Sequence, residues 1–147
     1  MPEDRTFQCV VIAPTGKLLD CHTASVVFPA HDGQVGVLCD HMPMFCKLGL
    51  GIMEVRPLAS PAQAPEPTVF LIDGGFAMVC ANLLKVVSYD VVCPRDTKPE
   101  ALDHLRTALN KRLQAASLDP AERLYVTRKL SLLNHAVELS AAGHKAG

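Results

Sequence analysis

Between Asp32 and Cys46 the chain reads DGQVGVLCDHMPMFC, and the thiols of Cys39 and Cys46, the imidazole of His41 and the thioethers of Met42 and Met44 fall close together in it. Thiolate and thioether are the preferred ligands of soft ions such as Cu(I), so one chemistry open to this stretch is soft-metal binding. An activated thiol is a second. A packed apolar strand is a third, because Met fills irregular gaps in a core and buried Cys behaves as a small hydrophobe. The six cysteines, Cys9, Cys21, Cys39, Cys46, Cys80 and Cys93, follow one another at steps of 12, 18, 7, 34 and 13 residues. None of these steps gives the short C-x2-4-C clip of a structural zinc site, so no resident metal is expected.

Other catalytic signatures are missing. There is no G-x-S-x-G nucleophile elbow, and Cys21 and His22, adjacent in a strand, would point to opposite faces. His31 and His41 have no evident acidic partner to orient them. The phosphate-cradling patterns G-x-x-x-x-G-K-[ST] and G-x-G-x-x-G do not occur, and Gly49-Leu50-Gly51 alone is too short to stand for one. No enzymatic activity of its own is expected. A small soft-metal or thiol-redox carrier is the alternative that the cysteines and methionines keep open.

The elements that would position these residues have two textures. The 147 residues are 49% hydrophobic, enough for the core of one ordinary domain or of a small domain with an appendage. The formal net charge is -1, but residues 1–95 hold six Lys/Arg against nine Asp/Glu, while residues 96–147 hold eight against six. That balance gives no signal for nucleic acid. The opening MPEDRTFQC lacks the basic-then-apolar pattern of a signal peptide, so the thiols are expected free in a reducing compartment. No apolar run reaches the roughly 18 to 20 residues of a membrane-spanning helix, so any membrane contact is expected through a partner.

From Phe7 to about Cys93, short β-branched runs (FQCVVIAP, ASVVFPA, QVGVL, GIMEVRP, TVFLID, FAMVCA, LLKVVSYDVV) alternate with turn signals, which indicates a β-sandwich or barrel. Asp32-Gly33 is the clearest hairpin turn. PLASPAQAPEP, Pro57 to Pro67, carries four prolines and cannot pair as a central strand, so it is expected as an exposed extended loop between two strands, with a linker between domains as the rival reading. After Cys93 the period becomes helical. Leu102, Leu105, Leu109 and Leu113 form one stripe, and Leu124, Leu130, Leu133 and Val137 form another after an Asp119-Pro120 start. Two helices of roughly twenty residues joined at SLD make an antiparallel hairpin, too small to stand alone and expected to lean on the rest. The fold class is thus α+β, with a sandwich over residues 1–95 and a helical hairpin over 96–147.

GQVGVLCDHMP, through Gly33, Gly36, His41 and Pro43, resembles a signature of the epsilon subunit of F-type ATP synthases. FLIDGGFAMVCANLLKVVSYD, with Gly74, Gly75 and Asn82, resembles that family's second signature. The resemblance implies a sandwich of about ten strands followed by a two-helix hairpin, in a non-catalytic rotor subunit of the central stalk. It implies that Gly33, Gly36, His41, Pro43, Gly74 and Gly75 set turns at one end of the sandwich that could face a partner. The partners implied are the gamma subunit, the membrane c-ring and the catalytic beta subunits, at the cytoplasmic face of a bacterial plasma membrane. The hairpin would fold down on the sandwich or extend along gamma to restrain ATP hydrolysis, with Lys111, Arg112, Arg123, Arg128 and Lys129 meeting acidic surfaces.

LDHLRT, Leu102 to Thr107, resembles the [IL]-D-x-x-R-A motif by which some bacterial epsilon subunits bind ATP, with Thr107 in place of alanine. Asp103 and Arg106 match, and Arg112, Arg123 and Arg128 could hold phosphate. The competing reading is a helix N-terminal Asp paired with Arg at i, i+3. No other cofactor is implied. From the thiol reading, titration in denaturing, non-reducing buffer should count six thiols; a count of two or fewer would contradict it.

Overall fold

The computed structural model describes residues 5–58, 66–115 and 117–145. Its strands are β1 (Phe7–Ala13), β2 (Gly16–Thr23), β3 (Ser25–Ala30), β4 (Gly33–Leu38), β5 (Met44–Arg56), β6 (Thr68–Cys80), β7 (Leu83–Val87) and β8 (Val91–Val92). A 3-10 turn at Pro94–Asp96 leads to α1 (Pro99–Leu113) and α2 (Pro120–Lys145). The strands form one hydrogen-bonded path, β2-β1-β7-β6-β5-β3-β4, with β8 on β6.

That path closes into a sandwich because its two 13-residue strands are each used twice. Phe76–Cys80 of β6 pairs with β7, whereas Leu71 and Ile72 pair with β8. β5 pairs with β3 at Glu54–Arg56 and, past an irregularity, at Leu48↔Ala30, and the β5–β6 ladder skips a step between Leu48↔Gly75 and Leu50↔Asp73. The strands bend there, and glycine permits it. Gly75 has φ +118°, and a Cβ on it would overlap the Val87 carbonyl oxygen and come within 2.8 Å of Ser88 Cα. Eight described strands therefore stand where about ten were expected, since strands that run through both layers count once. It also corrects three of the presumed turns. Gly74 and Gly75 lie inside β6, and Gly36 sits within β4 opposite Val27. Gly33 does close a hairpin, with His31 and Asp32 as its turn and φ +143° at the first residue of β4.

Inside the sandwich, Phe7, Cys9, Val11, Phe28, Met53, Phe70, Ile72 and Leu84 form the main core. The run Val69–Ile72 is buried on both sides: Phe70 and Ile72 face that core, while Leu71 faces the helices. This is why it is continuously apolar rather than alternating. The helices add a second cluster in which Leu71 meets Leu102, Leu109, Val126 and Leu133, with Leu50, Val92, Leu105 and Leu130 at its margin. The leaning of the hairpin on the sheet is thus seen directly.

The α2 stripe differs from the expected one. Leu124 is 72% exposed, and Val126, fully buried, takes its place. The inward line is Val126, Leu130, Leu133 and Val137, at steps of four, three and four. The helices have 15 and 26 residues rather than about twenty each, and the connection spans 114–119 rather than SLD alone. Residues 59–65 of the proline-rich loop lie outside the described residues, but its ends belong to an antiparallel pair, Val55↔Thr68, as a hairpin connection requires. Because both signatures and the main core lie before Cys93, a fragment ending at Arg95 should fold alone. Its far-UV circular dichroism should be that of a β protein; a random-coil spectrum would contradict the separation.

Candidate functional site

The joint between sandwich and helices is organised by one charged cluster. Asp73 is the last β6 residue before Gly74-Gly75, and its backbone N–H donates to the Asp90 carbonyl at 3.0 Å. Ser88 Oγ donates to the Gly74 carbonyl at 2.6 Å, which fixes the strand where it bends. Two carboxylates distant in sequence are thereby brought to one spot. Lys129 of α2 reaches both, with Nζ 2.9 Å from Asp73 Oδ2 and 2.6 Å from Asp90 Oδ2. One turn earlier, the Tyr125 hydroxyl donates to Asp73, and its ring lies 5.7 Å from the ammonium.

The Lys129 side chain is only 9% exposed, and those of Asp73 and Asp90 are 19% and 49% exposed. Burial pulls the Lys129 ammonium down, but its hydrogen bonds to Asp90 and Asp73, together with their charges, outweigh that and hold it above its ordinary range. Burial, then the bond to Asp73, push the Tyr125 hydroxyl up. Such an ammonium stays charged, so the cluster acts as a latch between helix and sheet. Removing Lys129 would leave the mostly buried Asp73 carboxylate without its cation, costlier than losing a surface pair, whereas removing either carboxylate leaves Lys129 paired with the other.

The other basic candidates have separate surroundings. Arg123 Nη1 donates to the Leu113 carbonyl at 3.1 Å and so caps the C-terminus of α1. Arg106 pairs with Asp103 at 3.0 Å and donates from Nε to Asn134 Oδ1 at 2.8 Å, tying α1 to α2. Thr107 turns its hydroxyl back to the Asp103 carbonyl at 2.8 Å. Arg128 lies on another flank of α2, about 240° around the helix from Asn134. There it lines a groove of about 500 Å³ with Leu132 and His135 and with His31 and Gln34 of the β3–β4 hairpin. Lys111 and Arg112 are exposed near the end of α1. In this docked arrangement, then, Asp103 and Arg106 come together, while Arg112, Arg123 and Arg128 do not join them.

The stretch from Asp32 to Cys46 makes a corner. Asp40, at φ +64°, donates its N–H to Asn82 Oδ1 at 2.7 Å, and Asn82 Nδ2 returns a bond to Asp40 Oδ1 at 3.1 Å. The Asn82 carbonyl accepts from Gln8 N, and Cys39 Sγ donates to the Thr6 carbonyl. His41 Nδ1 lies 2.7 Å from the Met42 carbonyl. The two glycine-containing signatures and the first strand are thus stitched together here. Cys46 packs against the interior while Met42 is 74% exposed, so the soft donors do not converge. Among the described residues, no three His, Cys, Asp or Glu side chains are grouped to hold a metal, and no helix is long and apolar enough to cross a membrane.

Beside this corner lies an apolar outer surface that sequence reasoning missed. Leu38, Met42 and Phe45 are 64%, 74% and 69% exposed, and Phe76, Met78 and Val87 continue the patch across β6 and β7. The Phe45 and Phe76 rings stack at 5.6 Å. Phe45 is opposite Met78, and Phe76 is opposite Val87 in the ladders, so these side chains share one face. The signal in the sequence is that Phe45, Phe76, Met78 and Val87 occupy outward positions of their strands, with Lys47 opposite Phe76 and Lys85 opposite Met78 as the polar members of that face.

Comparison with known proteins gives a consistent answer. The family model described as ATP synthase, Delta/Epsilon chain, beta-sandwich domain matches residues 6–93. The ATP synthase epsilon chain of Rhodopirellula baltica is 30% identical over 83 residues, 56% of this chain and 60% of that protein. That of Latilactobacillus sakei is 27% identical over 117 residues, 74% of this chain and 79% of that protein. A chain of the Euglena gracilis mitochondrial ATP synthase, in a structure of OSCP, F1 and c-ring, superposes with a TM-score of 0.63 at 20% identity, covering 92% of this chain and 81% of its own, a likeness of fold. Since the family model spans more than half of the sequence, the chain belongs to the delta/epsilon chain family of ATP synthase.

Proposed function

We propose that this chain is a non-catalytic rotor subunit of the central stalk of an F-type ATP synthase, coupling the catalytic head to the ion-translocating ring. The observation that carries this is the apolar outer face around Phe45 and Phe76. A contiguous exposed apolar surface on a small sandwich marks a protein contact. Its occupant is the gamma subunit, with the c-ring below the Asp40–Asn82 corner. The complex then sits on the cytoplasmic face of a bacterial plasma membrane, touched only through partners. Replacing Phe45 and Phe76 by Asp should cost about 2 kcal/mol or more of gamma binding, roughly thirtyfold, because aromatic anchors dominate interfaces. Co-purification of gamma undiminished by that double substitution would contradict the assignment.

The hairpin serves as a regulatory element. It rests on the sandwich through a limited apolar cluster and one charged latch, so a docked and an undocked state lie within reach of each other. Undocked, it presents Lys111, Arg112, Arg123, Arg128 and Lys129 to the acidic surfaces of the catalytic beta subunits and restrains ATP hydrolysis. Deleting residues after Arg95 should leave assembly intact and raise hydrolysis by the soluble catalytic complex; unchanged rates at low and high salt would leave a coupling element without a brake. Regulatory ATP held by Asp103 and Arg106 would compete with the Asp103–Arg106–Asn134 contact, so failure of the unaltered chain to bind ATP at millimolar concentration would exclude it.

The latch itself predicts a pH dependence. Because Lys129 is held above its ordinary range, its contribution to docking is complete below about pH 10 and is lost only as pH rises through its still higher folded-state value. Lys129→Ala should weaken docking by about 3 kcal/mol at neutral pH. Hydrogen exchange of α2 amides checks both statements. Equal protection in the variant, or release of the unaltered helix near pH 8, would contradict them.

A further inference from the structure

Cys9 and Cys21 face each other directly across the β1–β2 ladder. Gln8 donates its N–H to Asn82 and Ile12 accepts from Ser88, so these residues of β1 turn their backbone groups toward β7. Cys9, between them in the alternation, turns its backbone groups toward β2. That makes Cys9–Cys21 a hydrogen-bonded antiparallel pair, for which the Cα separation is about 5.5 Å, within the roughly 4.4–6.8 Å that a disulfide spans. Both side chains lie on the inner face of the sandwich: Cys9 is fully buried and Cys21 packs, half-buried, at its margin. β2 is an edge strand, so Cys21 is reachable from outside. Among the described residues no other cysteine has a cysteine across a ladder: Cys46 is opposite Ala77, and Cys80 is opposite Leu83.

We propose that Cys9 and Cys21 are a thiol pair that a small disulfide oxidant, such as oxidised glutathione, converts reversibly to an intramolecular cross-strand disulfide, stapling the edge strand to the core. Both are free thiols in the structure. The Cys21 thiolate attacks one sulfur of the oxidant and releases one glutathione thiolate, leaving a mixed disulfide on Cys21. Cys9 then gives up its proton, attacks the Cys21 sulfur and expels the second glutathione. Two protein thiols are oxidised and one glutathione disulfide is reduced to two thiols. Burial first, then Cys21 and Asp20, push the Cys9 thiol up to about 12, and burial and Asp20 push Cys21 up, so the slow first attack falls to the less shielded Cys21. The second step is intramolecular between facing residues, and their proximity offsets the scarcity of the Cys9 thiolate.

The test treats the full chain with graded oxidised glutathione, blocks remaining thiols with N-ethylmaleimide, and maps peptides by mass spectrometry. The exposed Cys80 serves as the internal control for oxidant strength. At oxidant levels that place glutathione on Cys80, the Cys9 and Cys21 peptides should appear linked, without glutathione, and separate again on adding dithiothreitol. In Cys9→Ser, Cys21 should keep its glutathione adduct because nothing resolves it. Stable glutathione on Cys21 of the unaltered chain, or both thiols untouched while Cys80 is modified, would overturn the proposal.

Discussion

The contact of Lys129 with Asp73 and Asp90 sets how the two halves of this molecule stand to each other. Apolar packing alone would let the helices slide, because leucine against leucine specifies little. A buried ammonium that must reach two carboxylates admits one position of α2. The carboxylates depend in turn on the bend of β6. Asp73 is aimed by the residues that follow it, since β6 bends at Gly74 and Gly75 and Ser88 holds the bend. The bend of β6 and the helices' seat on the sheet thus both run through one short stretch, DGG, with β5 bending opposite it at Gly49.

The same stretch separates the two surfaces on which the proposed function rests. Residues before the bend support the hairpin through Leu71, whereas residues after it carry Phe76 and Met78 to the outer apolar face. A partner seated on that face leaves the helices uncovered. On the proposed function, coupling and restraint would therefore be lost separately.

Much of this was legible in the residues, and what was missed has physical reasons. Alternating β-branched runs, the Asp32-Gly33 hairpin and the leucine period of α1 translate directly into elements, because each is decided by local geometry. Gly36, Gly74 and Gly75 read as turns in the sequence but lie within strands, because a glycine inside a strand and one in a turn look alike without knowing what lies against it. Leu124 was placed inward where Val126 belongs, since α2 offers apolar residues at several angles and only the sheet chooses among them. Lys129 was hardest. On an amphipathic helix a lysine reads as solvated, and its partners lie 39 and 56 positions away. Two signs are present nonetheless: an aspartate ending the apolar run VFLI, and a lysine three residues after Val126 and four before Leu133, on the inward side of α2.

The central claim is that the Lys129 contact, rather than general apolar adhesion, decides whether the hairpin is docked. A double-mutant cycle addresses it most directly, with Asp73→Asn, Lys129→Met and their combination compared by native-state hydrogen exchange of α2. A buried, hydrogen-bonded pair should give a coupling energy of about 1.5 to 3 kcal/mol, with the double variant docking better than the two single losses would sum to. Additive losses, with coupling near zero, would contradict the claim and return the hold on the hairpin to its leucines.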